Sequence, residues 1–227
     1  MQLETLETET GPNPTASIIF LHGLGDSGHG FAPFADELDL AAAGPVRFVF
    51  PHAPTRPVTI NGGYVMRAWY DILAPDLVRR EDETGLRASQ AAVDALIARE
   101  RARGIPASRI VLGGFSQGCA MTLLTGLRHP ERLAGLIGLS GYLPLAAQTA
   151  AERHGSNHGT PIFMAHGRLD PVIPLARAIA SRDALQALGH PLEWHEYPMP
   201  HSVCPPEIAD LTRWLLAVLG PAPARGE

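Results

Sequence analysis

Arg109-Ile110-Val111-Leu112-Gly113-Gly114-Phe115-Ser116-Gln117-Gly118 is an apolar run that ends in a glycine-flanked serine. A stretch suited to a helix, residues 117–128, follows without a gap. Strand, sharp turn and helix form the setting in which Gly-x-Ser-x-Gly acts as a nucleophile elbow. The glycines have a steric purpose: the serine sits on a strained turn, so positions 114 and 118 must carry no side chain that would collide with it. The helix that follows points its amino end at Ser116 and favours negative charge developing there. The plain alternative is a glycine-rich turn with an incidental serine, and the strand–turn–helix context weighs against it.

Outward from this segment, short apolar runs predict strands at 17–21, 46–50, 109–113, 133–139, 161–165 and 192–196. Between them, amphipathic or alanine-rich stretches predict helices at 34–43, 85–103, 117–128, 175–188 and 206–219. Thr84 is placed to cap the second helix, Gly104 and Pro106 to end it, and Gly189 with Pro191 to close the fourth. The alternation predicts an α/β fold with a mostly parallel sheet covered on both faces. Side chains at the carboxyl ends of its strands then meet along one edge, where ligands bind. Residues 1–16 read as a polar lead-in with room for an edge strand, 17–219 as one domain, and 220–227 as a short flexible tail.

Composition narrows the classes. The 227 residues carry a net charge of −5 and scattered arginines, with no basic stripe that would suit nucleic acid. No apolar run approaches the roughly 20 residues that span a bilayer, so no integral membrane association is expected. The acidic start, Met1-Gln2-Leu3-Glu4, lacks the cationic region of a signal peptide. Two cysteines, Cys119 and Cys204, are too few for a disulfide scaffold and fit a reducing cytoplasm. Their positions, each three residues after a candidate catalytic residue, leave open whether they lie close together; two free thiols is the favoured reading.

A serine at its ordinary pKa needs a base, and the base an orienting acid. In a sheet of this kind the chain order is serine, acid, histidine. Asp170 lies in the loop after the strand at 161–165, with no other carboxylate near. His201 lies in the loop after 192–196. The rival histidines fit less well: His166 precedes the acid, His190 and His195 come before or inside the last strand, and His154 and His158 fall in a polar loop. The oxyanion donors expected are the backbone N–H of Gln117 and one from the loop His22-Gly23-Leu24-Gly25-Asp26-Ser27-Gly28-His29-Gly30, with Leu24 preferred. A phosphate-binding loop there lacks the Lys-Ser/Thr ending, and a metal held by His22 and His29 lacks a third ligand.

Several strings together resemble the carboxylesterase/acyl-protein thioesterase (lysophospholipase-like) family of α/β-hydrolases. They are residues 22–30, Phe50-Pro51-His52-Ala53-Pro54-Thr55-Arg56-Pro57-Val58-Thr59, Trp69-Tyr70-Asp71, Gly113 to Gly118, His166-Gly167-Arg168-Leu169-Asp170, and Glu196-Tyr197-Pro198-Met199-Pro200-His201. The resemblance spans about residues 16–219. It implies a single-domain α/β-hydrolase without a large cap domain and without cofactor or metal. It also implies a triad of Ser116, Asp170 and His201, with Leu24 and Gln117 as oxyanion donors. The activity it implies is hydrolysis of short-to-medium acyl esters through an acyl-enzyme, with acyl-protein thioesterase or lysophospholipase as the alternative. A non-catalytic binding protein on the same fold is the alternative of another class. The partner is then a small-molecule or lipid acyl ester or thioester, acted on by a monomer or homodimer.

Two positions depart from the family pattern: Pro200 precedes the histidine, and Cys119 follows the elbow where a second glycine is common. Trp69, Tyr70, Ile72 and Leu143, from the irregular stretch 59–78 and the loop 142–159, are candidates for an acyl-binding wall, with Leu145 as an extension. Ordinary packing is the rival reading for them. Glu81-Asp82-Glu83 reads as a solvated turn and helix start.

Overall fold

The computed structural model describes residues 3–74 and 80–222, so residues 75–79 of the stretch 59–78, and 223–227 of the tail, lie outside the described residues. In chain order the elements are β1 (Thr5–Glu9), β2 (Ala16–Leu21), α1 (Gly28–Phe31), α2 (Phe34–Glu37), β3 (Val46–Pro51), β4 (Thr55–Val58), β5 (Tyr64–Arg67), α3 (Glu83–Ala102), β6 (Ile110–Phe115), α4 (Gln117–Arg128), β7 (Gly135–Leu139), α5 (Ala146–Glu152), β8 (Ile162–Gly167), α6 (Leu175–Ala187), β9 (Leu192–Tyr197) and α7 (Pro205–Leu219).

Seven strands form one sheet in the order β1-β3-β2-β6-β7-β8-β9. All neighbours are parallel except β1, which runs antiparallel along β3 and pairs Thr5 with Pro51. The expected α/β-hydrolase architecture is therefore present. β2, β7 and β8 are buried at every position, the signature of strands covered on both faces. Successive residues feed two cores by the two-residue period of a strand. Ile19, Leu21, Leu112, Leu136 and Met164 face one layer, while Ile18, Phe20, Val111, Ile137 and Phe163 face the other.

α4 is buried from Gln117 through Leu127. Such a helix can approach the sheet only where side chains are small: a Cβ on Gly126 would strike the Leu136 side chain. α7 covers the other layer with Ile208, Leu211, Trp214, Leu215 and Leu219, a stripe at helical spacing. The Arg109 guanidinium ties three segments by donating to the carbonyls of Thr15, Ala43 and Leu219 at 2.7, 3.1 and 2.7 Å.

Some sequence expectations change. The helix expected at 34–43 is two short pieces, because Leu38 is extended (φ −101°, ψ 106°) and a 3-10 turn occupies Ala41–Ala43. Asp82, not Thr84, caps α3, its side chain accepting from Gly85 N. The stretch 59–78 is not wholly irregular: β4 and β5 pair as a hairpin over 55–67. The loop 142–159 contains α5. Glu81 is not solvated either, since its carboxylate accepts the Leu145 N–H at 3.1 Å and burial raises its pKa.

Glu207, in the first turn of α7, is wholly buried, and neither carboxyl oxygen makes a hydrogen bond of normal geometry. Burial pushes its pKa up to about 8, the Cys204 N–H offsetting only part of the shift. Between about pH 4.5 and 8 the folded protein thus holds a proton that the unfolded chain has released. Stability should fall as pH rises through this window, by up to about 1.4 kcal/mol per unit from this group, and level off above it. Glu207→Gln should remove that slope, so that urea midpoints of variant and parent agree near pH 4 and diverge in the variant's favour by pH 8. Parallel curves would refute a buried neutral Glu207.

Candidate active site

The site is built where β6 turns into α4. Ser116 is the N-cap of α4 with φ 58° and ψ −115°, a strained conformation for a residue with a side chain. Its backbone N–H is held by the Leu139 carbonyl at 2.9 Å. A Cβ on Gly114 would collide with the Gly118 backbone, and one on Gly118 with the Leu21 carbonyl. The flanking glycines are therefore required by packing on the neighbouring turn and on β2.

Cys119 fits the first turn of α4 because Gly138 and Gly141 face it; a Cβ at either would come within 2.9 or 2.7 Å of its sulfur. Small residues on the neighbouring strand and loop thus absorb the bulk at this departure from the family pattern. Burial pushes the Cys119 thiol up to about 12, and it is inert as a nucleophile. Cys119 and Cys204 are both free. A thiol reagent should titrate only Cys204 in the native protein and two thiols in denaturant, with or without reductant. Fewer than two in the unreduced denatured chain would contradict the free state.

Asp170 and His201 stand on loops that are laced together. Arg168 N donates to Tyr197 O and Leu169 N to Met199 O, at 2.8 and 3.1 Å. The loops approach so closely that a Cβ on Gly167 would strike the Met199 and Pro200 carbonyls. Ser202 N bonds Pro200 O at 2.9 Å, so Pro200 is accommodated in a tight turn. His201 Nδ1 donates to Asp170 Oδ2 at 2.6 Å, while Asp170 Oδ1 accepts from Val172 N and Ile173 N at 2.8 and 2.9 Å. The Asp170 side chain is wholly buried and that of His201 is 16% exposed. This fixes Nε2 of His201 as the free, basic nitrogen. The Phe115 ring packs on the imidazole at 4.6 Å between centroids, which brings His201 beside the elbow. Ser116 Oγ itself makes no hydrogen bond to His201 among the described residues.

The loop at residues 22–30, expected to supply an oxyanion donor, is near enough to Ser116 that a Cβ on Gly23 would lie 3.3 Å from the Ser116 Cβ. Neither Leu24 N–H nor Gln117 N–H has an acceptor among the described residues, whereas Gly25 N and Asp26 N are bonded to Arg67 O and Gly23 O. His22 pins this loop. Its Nε2 accepts from Ala53 N at 3.0 Å, so Nδ1 carries the proton and donates to Gly23 O at 2.7 Å. Burial keeps its pKa low and the ring neutral. With both nitrogens engaged, His22 is unsuited to metal, and no cluster of three metal-ligating side chains occurs among the described residues. His166 is likewise buried and held neutral, its Nε2 donating to Ile173 O at 2.9 Å.

The sequence reading did not find the Gln117 side chain. Its amide accepts from Trp69 N and donates to Tyr70 O, both at 3.0 Å, and so bolts the Trp69–Tyr70 backbone onto the elbow. Trp69 Nε1 donates to His22 O at 2.9 Å, and Ser89 Oγ to Trp69 O. A glutamine at the elbow's second position was the available signal, because a buried amide there demands partners.

Of the four acyl-wall candidates, Trp69, Tyr70 and Leu143 are buried in the core and act as framework. Tyr70 Oη bonds Tyr142 Oη at 2.9 Å and Leu143 N bonds Ser181 Oγ at 2.9 Å. Ile72 is partly buried and packs against the same core. A groove of about 570 Å³ instead opens beside His201, lined by Phe31, Phe34, Phe115, Val203, Cys204 and Ile208. That volume is in the range of small-molecule sites.

Residues 5–219 match the Phospholipase/Carboxylesterase family. The chain is 46% identical over 208 residues to an acyl-protein thioesterase 1 of Neurospora crassa, covering 86% of this chain and 83% of that one. The crystal structure of Arabidopsis thaliana SOBER1 superposes with a TM-score of 0.85 at 31% identity, covering 90% of this chain and 99% of that one. That of Zea mays acyl-protein thioesterase 2 gives 0.83 at 30% identity, over 95% and 99%.

Proposed function

The chain belongs to the phospholipase/carboxylesterase family, and from that premise we propose that it is a serine hydrolase of acyl esters in which Ser116 forms the acyl-enzyme. The observation that carries the reading is the 2.6 Å Asp170–His201 pair packed through Phe115 against a strained, glycine-flanked serine.

The roles follow from the chemistry. His201 Nε2 takes the proton of Ser116 Oγ as the serine attacks the acyl carbonyl, the missing Ser116–His201 contact closing as substrate settles. The unpaired N–H groups of Leu24 and Gln117 receive the oxyanion, helped by the amino end of α4. His201 then passes its proton to the leaving oxygen or sulfur, so the leaving group departs on the His201 side, where the 570 Å³ groove lies. Water activated by the same Nε2 releases the acid. Asp170 holds the tautomer and stabilises the imidazolium.

Esters and thioesters form the same tetrahedral oxyanion. The similarity to acyl-protein thioesterases at 46% identity favours a second reading in which the physiological substrate is an acyl thioester. No helix among the described residues is long and apolar enough to cross a membrane. Two free cysteines support placing the protein in a reducing compartment such as the cytoplasm.

A panel of p-nitrophenyl esters, acyl thioesters and lysophospholipids, with Ser116→Ala as the blank, tests the reading. Turnover of at least one class above that blank is expected. Activity equal to the blank on all three would overturn the proposal.

A further inference from the structure

A second cavity, of about 360 Å³, opens across the α1 turn from the His201 groove. Arg67, His52, His29, Ser27 and the solvent-exposed Glu4 line it, together with Thr5 and Leu6 of β1. The hydrogen bonds around it leave a set of donors facing no acceptor. Arg67 spends only Nη1, on the Ala53 carbonyl at 2.9 Å, and has no carboxylate within 4 Å among the described residues. Most other arginines of this acidic chain are ion-paired, for example Arg47, Arg87, Arg99, Arg101 and Arg213. His52 Nδ1 accepts the Gly28 N–H at 3.0 Å, which places the neutral ring's proton on Nε2 as a donor. The ring of His29 lies 5.1 Å from that of His52 and makes no hydrogen bond among the described residues.

We propose that this cavity is a binding site for a phosphate group, held by the Arg67 guanidinium and the rings of His52 and His29. A planar guanidinium and ring N–H donors match the acceptor oxygens of a phosphate, and charge-assisted hydrogen bonds of this kind are the strong ones. The cavity is large enough for the group together with the first atoms attached to it. Glu4 lines the same cavity and opposes an anion there, but it is exposed, and solvent weakens its effect. Burial, with Arg67 and His29, depresses the pKa of His52 against the opposing charge of Glu4, and the Gly28 N–H already occupies Nδ1, so the neutral ring offers its Nε2–H to the phosphate.

The phosphate has two possible sources, free inorganic phosphate and the headgroup of a phosphate-bearing acyl substrate. The second source rests on the hydrolase reading given above; the binding site does not. Titration of the full protein with inorganic phosphate, followed by NMR of the histidine ring protons, reads the site without any turnover. His29 and His52 signals should shift and saturate at millimolar phosphate, and the apparent Kd should rise about tenfold or more in Arg67→Gln. His29→Ala, which breaks no hydrogen bond, should weaken binding too while leaving turnover of an uncharged ester unchanged.

A kinetic comparison then separates the sources. Two substrates share one acyl chain, the first a glycerol ester and the second a glycerol phosphate ester. If the headgroup is the ligand, His29→Ala raises KM severalfold for the phosphate-bearing substrate alone. If both KM values are unchanged while phosphate still saturates the ring signals, the site serves free phosphate. Absence of saturable shifts at His29 and His52, or the same response in Arg67→Gln as in the parent, would overturn the proposal whatever the enzyme hydrolyses.

Discussion

Ser116→Ala should lower ester turnover by on the order of 10⁵-fold, about 7 kcal/mol of transition-state stabilisation. The loss is large because the triad acts as a unit: without Oγ, neither His201 nor Asp170 has a nucleophile to activate. What remains is the oxyanion loop and substrate binding, which still outpace water. The fold should survive. Ser116 Oγ makes no hydrogen bond among the described residues, and alanine meets the same φ of 58° with a similar penalty. Steady-state kinetics alongside a melting curve check both statements. Near-normal kcat in a variant with parental Tm would remove Ser116 from the mechanism.

Asp170→Asn should cost about 10⁴-fold in kcat near neutral pH, and the geometry says why. Oδ1 accepts from two backbone N–H groups, Val172 and Ile173. An asparagine keeps those bonds only by placing its carbonyl oxygen there, which turns its NH₂ toward His201 Nδ1. Donor then meets donor. The imidazole escapes by moving its proton to Nε2, the nitrogen that must accept from Ser116. KM for an uncharged ester should change little, since Asp170 is buried away from the groove. A loss of less than about tenfold in kcat would mean that another carboxylate orients His201.

How much of this was legible depends on whether an interaction is local in sequence. Ser116 is, because the strand, both glycines and the helix that make its turn occupy one run of residues. Asp170 and His201 were picked from the order of strands; of their rivals, His195 lies in β9 as its position predicted, whereas His166, expected just past the strand at 161–165, lies within β8. The interactions that lock the site are long-range. His22 meets Ala53 across 31 residues and Gln117 meets Trp69 across 48, contacts with no periodicity to betray them. For the same reason the sequence left acyl-binding wall and ordinary packing both open for Trp69, Tyr70 and Leu143, and the structure buries all three: aromatic residues in an irregular segment look alike whether they face a ligand or the core. The segment at 34–43 misled differently. Its apolar spacing suits a helix, but Leu38 leaves the helical region, and apolar spacing alone does not reveal that break.

The nucleophile can be read directly by treating the native protein with one equivalent of a fluorophosphonate and mapping the adduct by peptide mass spectrometry. Tryptic cleavage at Arg109 and Arg128 isolates residues 110–128, in which Ser116 is the only serine. The account predicts one adduct, on Ser116, appearing in step with loss of esterase activity and absent from Ser116→Ala. An active protein that takes up no label, or one labelled at a different residue as its activity disappears, would contradict it.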